Sequence, residues 1–227
     1  MTPEEREAVI LIFASRKKVY KLLHDFWINE PGEKQLEELY DPSLKVTLEL
    51  LSPDEMVPLS SYLEKMQVNY EEFNEEYLKD IQAQYHQMMQ SVEIHLSAPF
   101  AVKYLDLPQD ELREEMLMVG ATYERYGALH NDSSIEADSY LAVELSFMGR
   151  ASGLAQQAIE LGIDRRAQQL LEEQEWFLND HLRHWVPKWE AEMQQSEAAD
   201  FYRHLAALTV QFLRYDSMAM EDLLEIV

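Results

Sequence analysis

Residues 135–148 read IEADSYLAVELSFM and residues 175–189 read EWFLNDHLRHWVPKW, and these two stretches say most about the fold. In both, apolar residues recur at the three- and four-residue spacings typical of helices. Their distinctive polar and aromatic side chains are Glu136, Asp138, Ser139, Tyr140, His181, His184, Trp185 and Trp189. We therefore expect two helices that carry this chain's most unusual side chains near their ends.

The rest of the chain shows the same helical spacing. Thr2, followed three residues later by Glu5, forms a capping box that predicts a helix start. Residues 44–50 alternate like a strand, but no second strand is available to pair with them, so we interpret them as a helix. The chain has 6 Gly and 8 Pro, fewer than a sheet protein with many tight turns would use. The sequence predicts an all-α globular bundle of about ten helices, without the sustained heptads of a coiled coil.

Several helix boundaries follow from local signals. A second capping box at residues 52–55 predicts another helix start, and one helix is expected from 69 to 92. A helix over 110–126 should end at Gly127. The polar run 131–134 should begin a helix that continues to Leu161 and ends at Gly162. The last long helix should span 197–215, with a short helix after it.

The break near 130–134 also suggests the domain organisation. We expect an N-terminal lobe of residues 1–129, a hinge at 130–134 and a C-terminal lobe of residues 135–227. A linker of this kind permits exchange between chains. The expected state is a monomer with a minor domain-swapped dimer.

The charge balance is strongly acidic. Lys and Arg number 19 against 43 Asp and Glu, for a formal charge of -24. Such a surface repels nucleic acid and anionic lipid and favours a basic partner or simple solubility. The chain has no Cys, which excludes disulfides and thiolate metal sites. The N-terminus lacks the features of a secretory signal, so we expect a cytoplasmic protein.

Familiar catalytic motifs are missing from the sequence. It contains no GxGxxG, Walker-type GK[ST], GxSxG or HExxH pattern. None of the seven histidines has a Glu three residues before it, which excludes a ferritin-like di-iron site. His181 and His184, three residues apart, could still face one metal ion. Alternatively, His181 packs at a helix interface with one ring nitrogen bonded to a carbonyl or carboxylate oxygen.

A set of aromatic and methionine side chains suggests a binding groove. Tyr85, Met88 and Met89 end one predicted helix, and Phe100 lies in the proline-containing loop that follows. Such side chains adapt to varied apolar partners. With the carboxylates of Glu136 and Asp138 at its rim, a groove would suit a peptide with a basic end and an apolar stretch. Alternatively, those two carboxylates only stabilise the first turn of a helix.

The two opening stretches resemble motifs of the TorD/DmsD family of cytoplasmic chaperones, which mature molybdoenzymes exported by the twin-arginine pathway. Residues 177–187 match the F-L-x-x-H-L-x-x-W-x-P motif, and residues 144–148 match ELxFM. A family loop of the form E-P-x-D-H survives only at Glu136. Ala137 stands in place of Pro, Ser139 in place of Asp and Tyr140 in place of His.

The resemblance implies a chaperone and not an enzyme, with no cofactor of its own. It would bind the twin-arginine signal peptide, the body of an apo-molybdoenzyme, or both, until cofactor insertion and export. The implied client-binding residues are Tyr85, Met88, Met89, Pro99, Phe100, Glu136, Asp138, Ser139 and Tyr140. The implied structural motif residues are Glu144, Phe147, His181, Trp185 and Pro187. The alternatives are a NarJ-like chaperone for a non-exported molybdoenzyme and a helical metal- or small-ligand-binding protein using His181 and His184.

Overall fold

A computed structural model describes residues 1–67, 74–90, 98–127, 135–195 and 200–227, apart from the side chains of 88–90 and 136. These residues form α1 (Pro3–Ile28), α2 (Glu33–Leu39), α3 (Pro42–Leu50), α4 (Ser60–Met66), α5 (Glu75–Gln90), α6 (Ala101–Tyr104), α7 (Gln109–Tyr126), α8 (Ile135–Asp138), α9 (Leu141–Glu160), α10 (Asp164–Trp176), α11 (Arg183–Gln195) and α12 (Asp200–Ile226). A π-helical segment, Phe177–Leu182, joins α10 to α11. The only β pairing in the described residues is one isolated bridge. The predicted all-α class is confirmed.

Helix α1 is the long helix around which the core is built. Its predicted capping box is present, with the Glu5 N–H donating to Thr2 Oγ1 at 3.1 Å and the Thr2 N–H to the Glu5 carboxylate at 2.6 Å. The helix packs along α9. There the Ser152 hydroxyl donates to the Phe13 carbonyl at 3.0 Å. A Cβ on Gly149 would lie 3.1 Å from Tyr20 Cβ, so glycine lets the two helices approach closely.

Helix α1 also binds the C-terminal helix through a buried ion pair. Arg16 donates to both carboxylate oxygens of Asp216, at 2.6 and 3.0 Å, and both side chains are fully buried. The Tyr20 hydroxyl donates to the same carboxylate at 2.6 Å. The core therefore includes helices from both ends of the chain. The hinge predicted at 130–134 lies outside the described residues.

The helix start predicted at residues 52–55 is wrong. These residues form a turn in which Glu55 has a φ of 65°. The Ser52 hydroxyl donates to the Leu48 carbonyl at 2.6 Å and accepts from the Leu59 N–H at 2.9 Å. It therefore closes the end of α3 instead of capping a helix of its own, and α4 begins only at Ser60.

The single helix expected to reach Leu161 is broken at Ser139 and Tyr140. Tyr140 is extended, with φ −81° and ψ 125°. The Ser139 carbonyl accepts from the Ala101 N–H at 2.8 Å, and the Leu141 N–H donates to the Pro99 carbonyl at 2.9 Å. Pairing with a distant loop thus replaces the helical hydrogen bonds at this point.

The other predicted boundaries agree with the structure or lie partly outside it. Residues 44–50 are helical within α3, as predicted. Gly127 and Gly162 end their helices with φ of 60° and 72°. The expected break after Tyr215 is absent, because Tyr215, Asp216 and Ser217 are buried and α12 continues to Ile226. The helix expected over 69–92 is seen as Glu75–Gln90, with 68–73 and 91–97 outside the described residues.

Candidate functional site

The isolated β bridge brings together two loops that carry predicted site residues. It joins Phe100 to Tyr140 in antiparallel fashion. Their rings stack with centroids 5.0 Å apart and planes 28° apart, and both side chains are partly exposed. The Tyr140 hydroxyl donates to the Trp27 carbonyl in the last turn of α1. The stacked pair is thereby attached to the end of α1.

Two more tyrosines extend this pair into an aromatic cluster, defined here as Tyr85, Phe100, Tyr140 and Tyr202. The Tyr85 and Tyr202 rings lie 6.1 Å apart, and the Tyr202 ring lies 5.7 Å from that of Trp27. Burial raises the pKa of Tyr85, Tyr140 and Tyr202, so their hydroxyls stay neutral at pH 7. The Tyr202 hydroxyl is buried without a hydrogen-bond partner among the described residues.

The edge of the aromatic cluster is negatively charged. Glu30 follows α1, is 40% exposed and lies 3.3 Å from His86 Nε2. After burial, the charge of Glu30 is a further cause of the raised pKa of Tyr85 and Tyr202, which places it near both rings. The last turn of α1 has no basic residue to balance the partial negative charge of the helix end. This edge favours a cation.

The structure places the predicted site residues in three groups. Tyr85, Pro99, Phe100, Ser139 and Tyr140 lie in or beside the aromatic cluster. The side chains of Met88, Met89 and Glu136 lie outside the described part of the chain.

Asp138 forms the third group, because its carboxylate faces α7. A Cβ placed on Gly120 would lie 3.0 Å from Asp138 Oδ2. The Tyr123 hydroxyl donates to the Asp138 carbonyl at 3.0 Å.

Sequence reasoning missed both Glu30 and Tyr202 as members of this site. The only local sign of Glu30 is its place immediately beyond the end of α1, in the turn Asn29–Gly32. Tyr202 is indeed buried, but nothing in the sequence shows that its hydroxyl lacks a partner. Both residues reach the cluster through the packing of α1 and α12, which local pattern does not reveal.

A second cluster, the His181 joint, consists of the buried Glu144, His181 and Trp185 and the partly exposed Glu115. His181 Nδ1 lies 2.8 Å from Glu115 Oε1, and its Nε2 lies 2.9 Å from Glu144 Oε1. The Trp185 indole N–H donates to the other oxygen of Glu144 at 3.1 Å. With a carboxylate oxygen at each nitrogen, only the protonated ring can donate both bonds.

The electrostatics of the His181 joint agree with this geometry. Burial acts to lower the pKa of His181, but the charge of Glu144 and the hydrogen bonds to Glu115 and Glu144 outweigh it and raise that pKa to about 9. Burial raises the pKa of Glu144, against the lowering effect of His181. We infer an imidazolium held between two carboxylates, which fastens α7 and α9 to the π segment.

The remaining motif residues, Phe147 and Pro187, lie in different surroundings. The Phe147 and Phe177 rings lie 4.7 Å apart in the core, whereas Pro187 is exposed inside α11. His184 is exposed while His181 is buried, so the two rings do not share an environment. Within the described ranges, no group of three or more potential ligands could hold a metal ion. The geometry therefore does not support the metal-site alternative.

None of the helices in the described residues combines the length and the apolar character needed to cross a bilayer.

Comparison with known proteins places both motif stretches inside one family match. The model of the nitrate reductase delta subunit family matches residues 53–191. The chain is 24% identical over 206 residues to the chaperone protein TorD of Vibrio parahaemolyticus serotype O3:K6 (strain RIMD 2210633), covering 89% of this chain and 93% of that protein. It is 22% identical over 210 residues to the chaperone protein TorD of Aliivibrio salmonicida (strain LFI1238), covering 88% and 92%. No solved structure matches significantly.

Proposed function

Because the chain belongs to the nitrate reductase delta subunit family, and its matched relatives are chaperones, we propose that it is a maturation chaperone for a molybdoenzyme. It binds the twin-arginine signal peptide of the apo-enzyme, the enzyme body, or both. It holds this client in the cytoplasm until the cofactor is inserted and the client is exported. No covalent step is involved, because the mechanism is reversible burial of a client segment.

The stacked Phe100–Tyr140 pair carries this proposal. It joins two loops that the sequence singled out separately, and it remains partly exposed. Aromatic faces next to the α5 end suit the apolar stretch of a leader peptide. The carboxylate of Glu30 lies at the edge of the same cluster. Arginine guanidinium groups pair well with carboxylates, so the basic end of a leader fits this edge.

The remaining predicted contacts belong to the same proposal. Met88 and Met89, which the sequence predicts as client contacts, are proposed to meet the apolar stretch of the leader. Glu136 and Asp138 precede Tyr140 in the chain, and because the Asp138 carboxylate faces α7, it must turn toward the cluster to meet a client. We propose that these carboxylates and Glu30 share the pairing with the client's arginines.

The His181 joint gives this surface a fixed base. Glu144 lies one helical turn after Tyr140, and its N–H donates to the Tyr140 carbonyl at 3.2 Å. The bonds from Glu144 to His181 and Trp185 therefore fix the start of α9, which carries Tyr140. His181 and Trp185 act by positioning the surface and do not touch the client.

Titration calorimetry with a twin-arginine leader peptide tests the proposal. Phe100→Ala should weaken binding with little change in its salt dependence, because that contact is apolar. Glu30→Gln should weaken binding and reduce its salt dependence, since a partly exposed ion pair contributes about 1 kcal/mol, or several-fold in affinity. Leu107→Ala and Glu225→Gln, at exposed positions elsewhere, are the matched controls.

The double change of Glu136→Gln and Asp138→Asn tests the other proposed carboxylates and should lower the affinity for the leader roughly tenfold. If it leaves affinity and salt slope unchanged, those carboxylates only stabilise a helix start. If the wild type binds no leader but binds the mature part of a molybdoenzyme, the client is of the non-exported type. Sizing chromatography with storage tests the proposed monomer and its minor swapped dimer.

A further inference from the structure

A groove of about 380 Å³ lies between α1 and α9. Its lining includes the basic side chains of Lys17, Lys21, His24 and Arg150 and the partly exposed apolar side chain of Leu154. This is an unusual surface for a chain whose formal charge is -24. A concentration of cations against so acidic a background needs a local explanation.

Two of these cations have no carboxylate partner among the described residues, namely Lys17 and Arg150. The stem of Lys17 lies over α9, with its Cδ 3.2 Å from where a Cβ on Gly153 would be. Arg150 donates from Nε to the Tyr126 carbonyl, which fixes the guanidinium without neutralising it. Lys21, by contrast, forms an ion pair with Asp25. The groove therefore keeps a net positive charge at neutral pH.

The shape of the groove argues for a peptide. Leu154, which is partly exposed, and the aliphatic stem of Lys17 supply an apolar floor between the charged groups. Lys17 and Lys21 lie about one turn apart on α1, roughly 6 Å along the axis, and Arg150 lies across from them on α9. Charges spread along an apolar floor match a ligand with several carboxylates and apolar side chains. A single phosphate would instead need donors that converge on one point.

The groove runs along α1 and α9, and Tyr140 of the aromatic cluster stands at the start of α9, beside the end of α1. The ring of His24, within the groove, lies with Nδ1 2.7 Å from the Ala142 carbonyl, next to the contact between Trp27 and Tyr140. Lys17 precedes Trp27 by ten positions on α1, which corresponds to about 15 Å along the helix. One polypeptide could therefore reach both surfaces.

We propose that the groove binds an acidic, partly apolar peptide segment of the client, and this rests on the proposed chaperone function. The arginine end of a leader is repelled from Lys17 and Arg150 and attracted to Glu30. An acidic segment has the opposite preference. The two surfaces together fix the direction in which the client lies across α1 and α9.

Fluorescence anisotropy with a short labelled peptide rich in Glu and Leu tests this inference. An otherwise identical peptide with Gln in place of Glu is the probe control. The protein variants are Lys17→Gln combined with Arg150→Gln, and Ser146→Trp, which adds volume at an exposed lining position without changing charge. Lys45→Gln combined with Lys79→Gln removes the same charge from exposed ion pairs elsewhere. Circular dichroism confirms that each variant is folded.

We expect the wild type to prefer the Glu peptide, and the Lys17 and Arg150 double variant to bind it about tenfold more weakly. Ser146→Trp should also weaken it, and the control double variant should match the wild type. Equal affinity in the double variant and its control would overturn the inference, as would equal binding of the Glu and Gln peptides. Displacement by inorganic phosphate, but not by chloride at equal ionic strength, would overturn it in favour of a phosphate ligand.

A parallel titration with the leader peptide separates this inference from the proposed function. If the Lys17 and Arg150 double variant loses binding of the acidic peptide but still binds the leader, both the groove assignment and the proposed function are supported. If the wild type binds the acidic peptide through Lys17 and Arg150 but binds no leader, the leader proposal fails and the groove assignment stands. If only the leader binds, the groove assignment fails alone.

Discussion

Replacement of His181 by glutamine should remove a pH-dependent part of the stability of the fold. The pKa of His181 is about 9 in the folded protein, against an ordinary value of 6.5. Each pKa unit corresponds to about 1.4 kcal/mol, so the charged ring contributes up to about 3 kcal/mol. Because the folded pKa is the higher one, this stabilisation is complete below pH 6.5 and is lost as pH rises through about 9.

The structure explains why glutamine cannot take over this role. A neutral amide can donate to the carboxylates of Glu115 and Glu144 but cannot balance their charge. Glu144 is fully buried, and hydrogen bonds from a neutral amide and the Trp185 indole would leave its negative charge without a counter-charge. Breaking a buried charge pair on one side typically costs about 3–5 kcal/mol. We expect the variant to be less stable than the wild type by an amount of this order at pH 6.5.

Urea unfolding of both proteins at several pH values between 6.5 and 10 measures the effect. The difference in unfolding free energy between wild type and His181→Gln should shrink by about 3 kcal/mol across this range. His184→Gln is the matched control, since it makes the same chemical change at an exposed neighbour. A difference between wild type and His181→Gln that stays constant from pH 6.5 to 10 would refute the protonated ring.

Three further changes test the packing, each by urea unfolding. Tyr140→Phe should cost about 1 kcal/mol through loss of its bond to the end of α1, while the ring stack remains. Gly127→Ala should lower the unfolding free energy by about 1 kcal/mol, more than Gly162→Ala does. Both glycines have a positive φ, but only a Cβ at position 127 would also crowd the Arg150 side chain. Asp216→Asn should cost about 3–5 kcal/mol, because it leaves the buried Arg16 without a counter-charge, and a cost under 1 kcal/mol would contradict that pairing.

Elements fixed by neighbouring residues could be predicted from the sequence. The start of α1 depends on Thr2 and Glu5, and the end of α7 depends on Gly127, so each signal is complete within a few positions. The helical reading of α3 followed from the lack of a second strand to pair with it. These features require no knowledge of tertiary contacts.

Features that depend on distant partners could not be predicted. The break at Ser139 and Tyr140 exists because the Ser139 carbonyl accepts from the Ala101 N–H and the Leu141 N–H donates to the Pro99 carbonyl. Helical spacing alone favours a continuous helix there. The sequence suggested one carboxylate or carbonyl partner for His181. The structure shows two, one of them 66 residues away.

The partner loops of the aromatic cluster illustrate the same limit. Phe100 and Tyr140 were each expected near a client, but their stacking depends on an isolated bridge between two loops. Glu30 reaches the cluster because α1 ends beside Tyr140. Residue type and local spacing carry no information about these contacts between distant segments.

Hydrogen–deuterium exchange with and without a bound leader peptide tests the central claim most directly, because it locates the client on the chain. We expect the leader to slow exchange of the amides in residues 98–105 and 135–141 and at the end of α1, with α12 beyond Tyr215 unaffected. A leader that binds tightly yet protects none of these segments, or protects only residues away from the aromatic cluster, would contradict the assignment of this surface to the client.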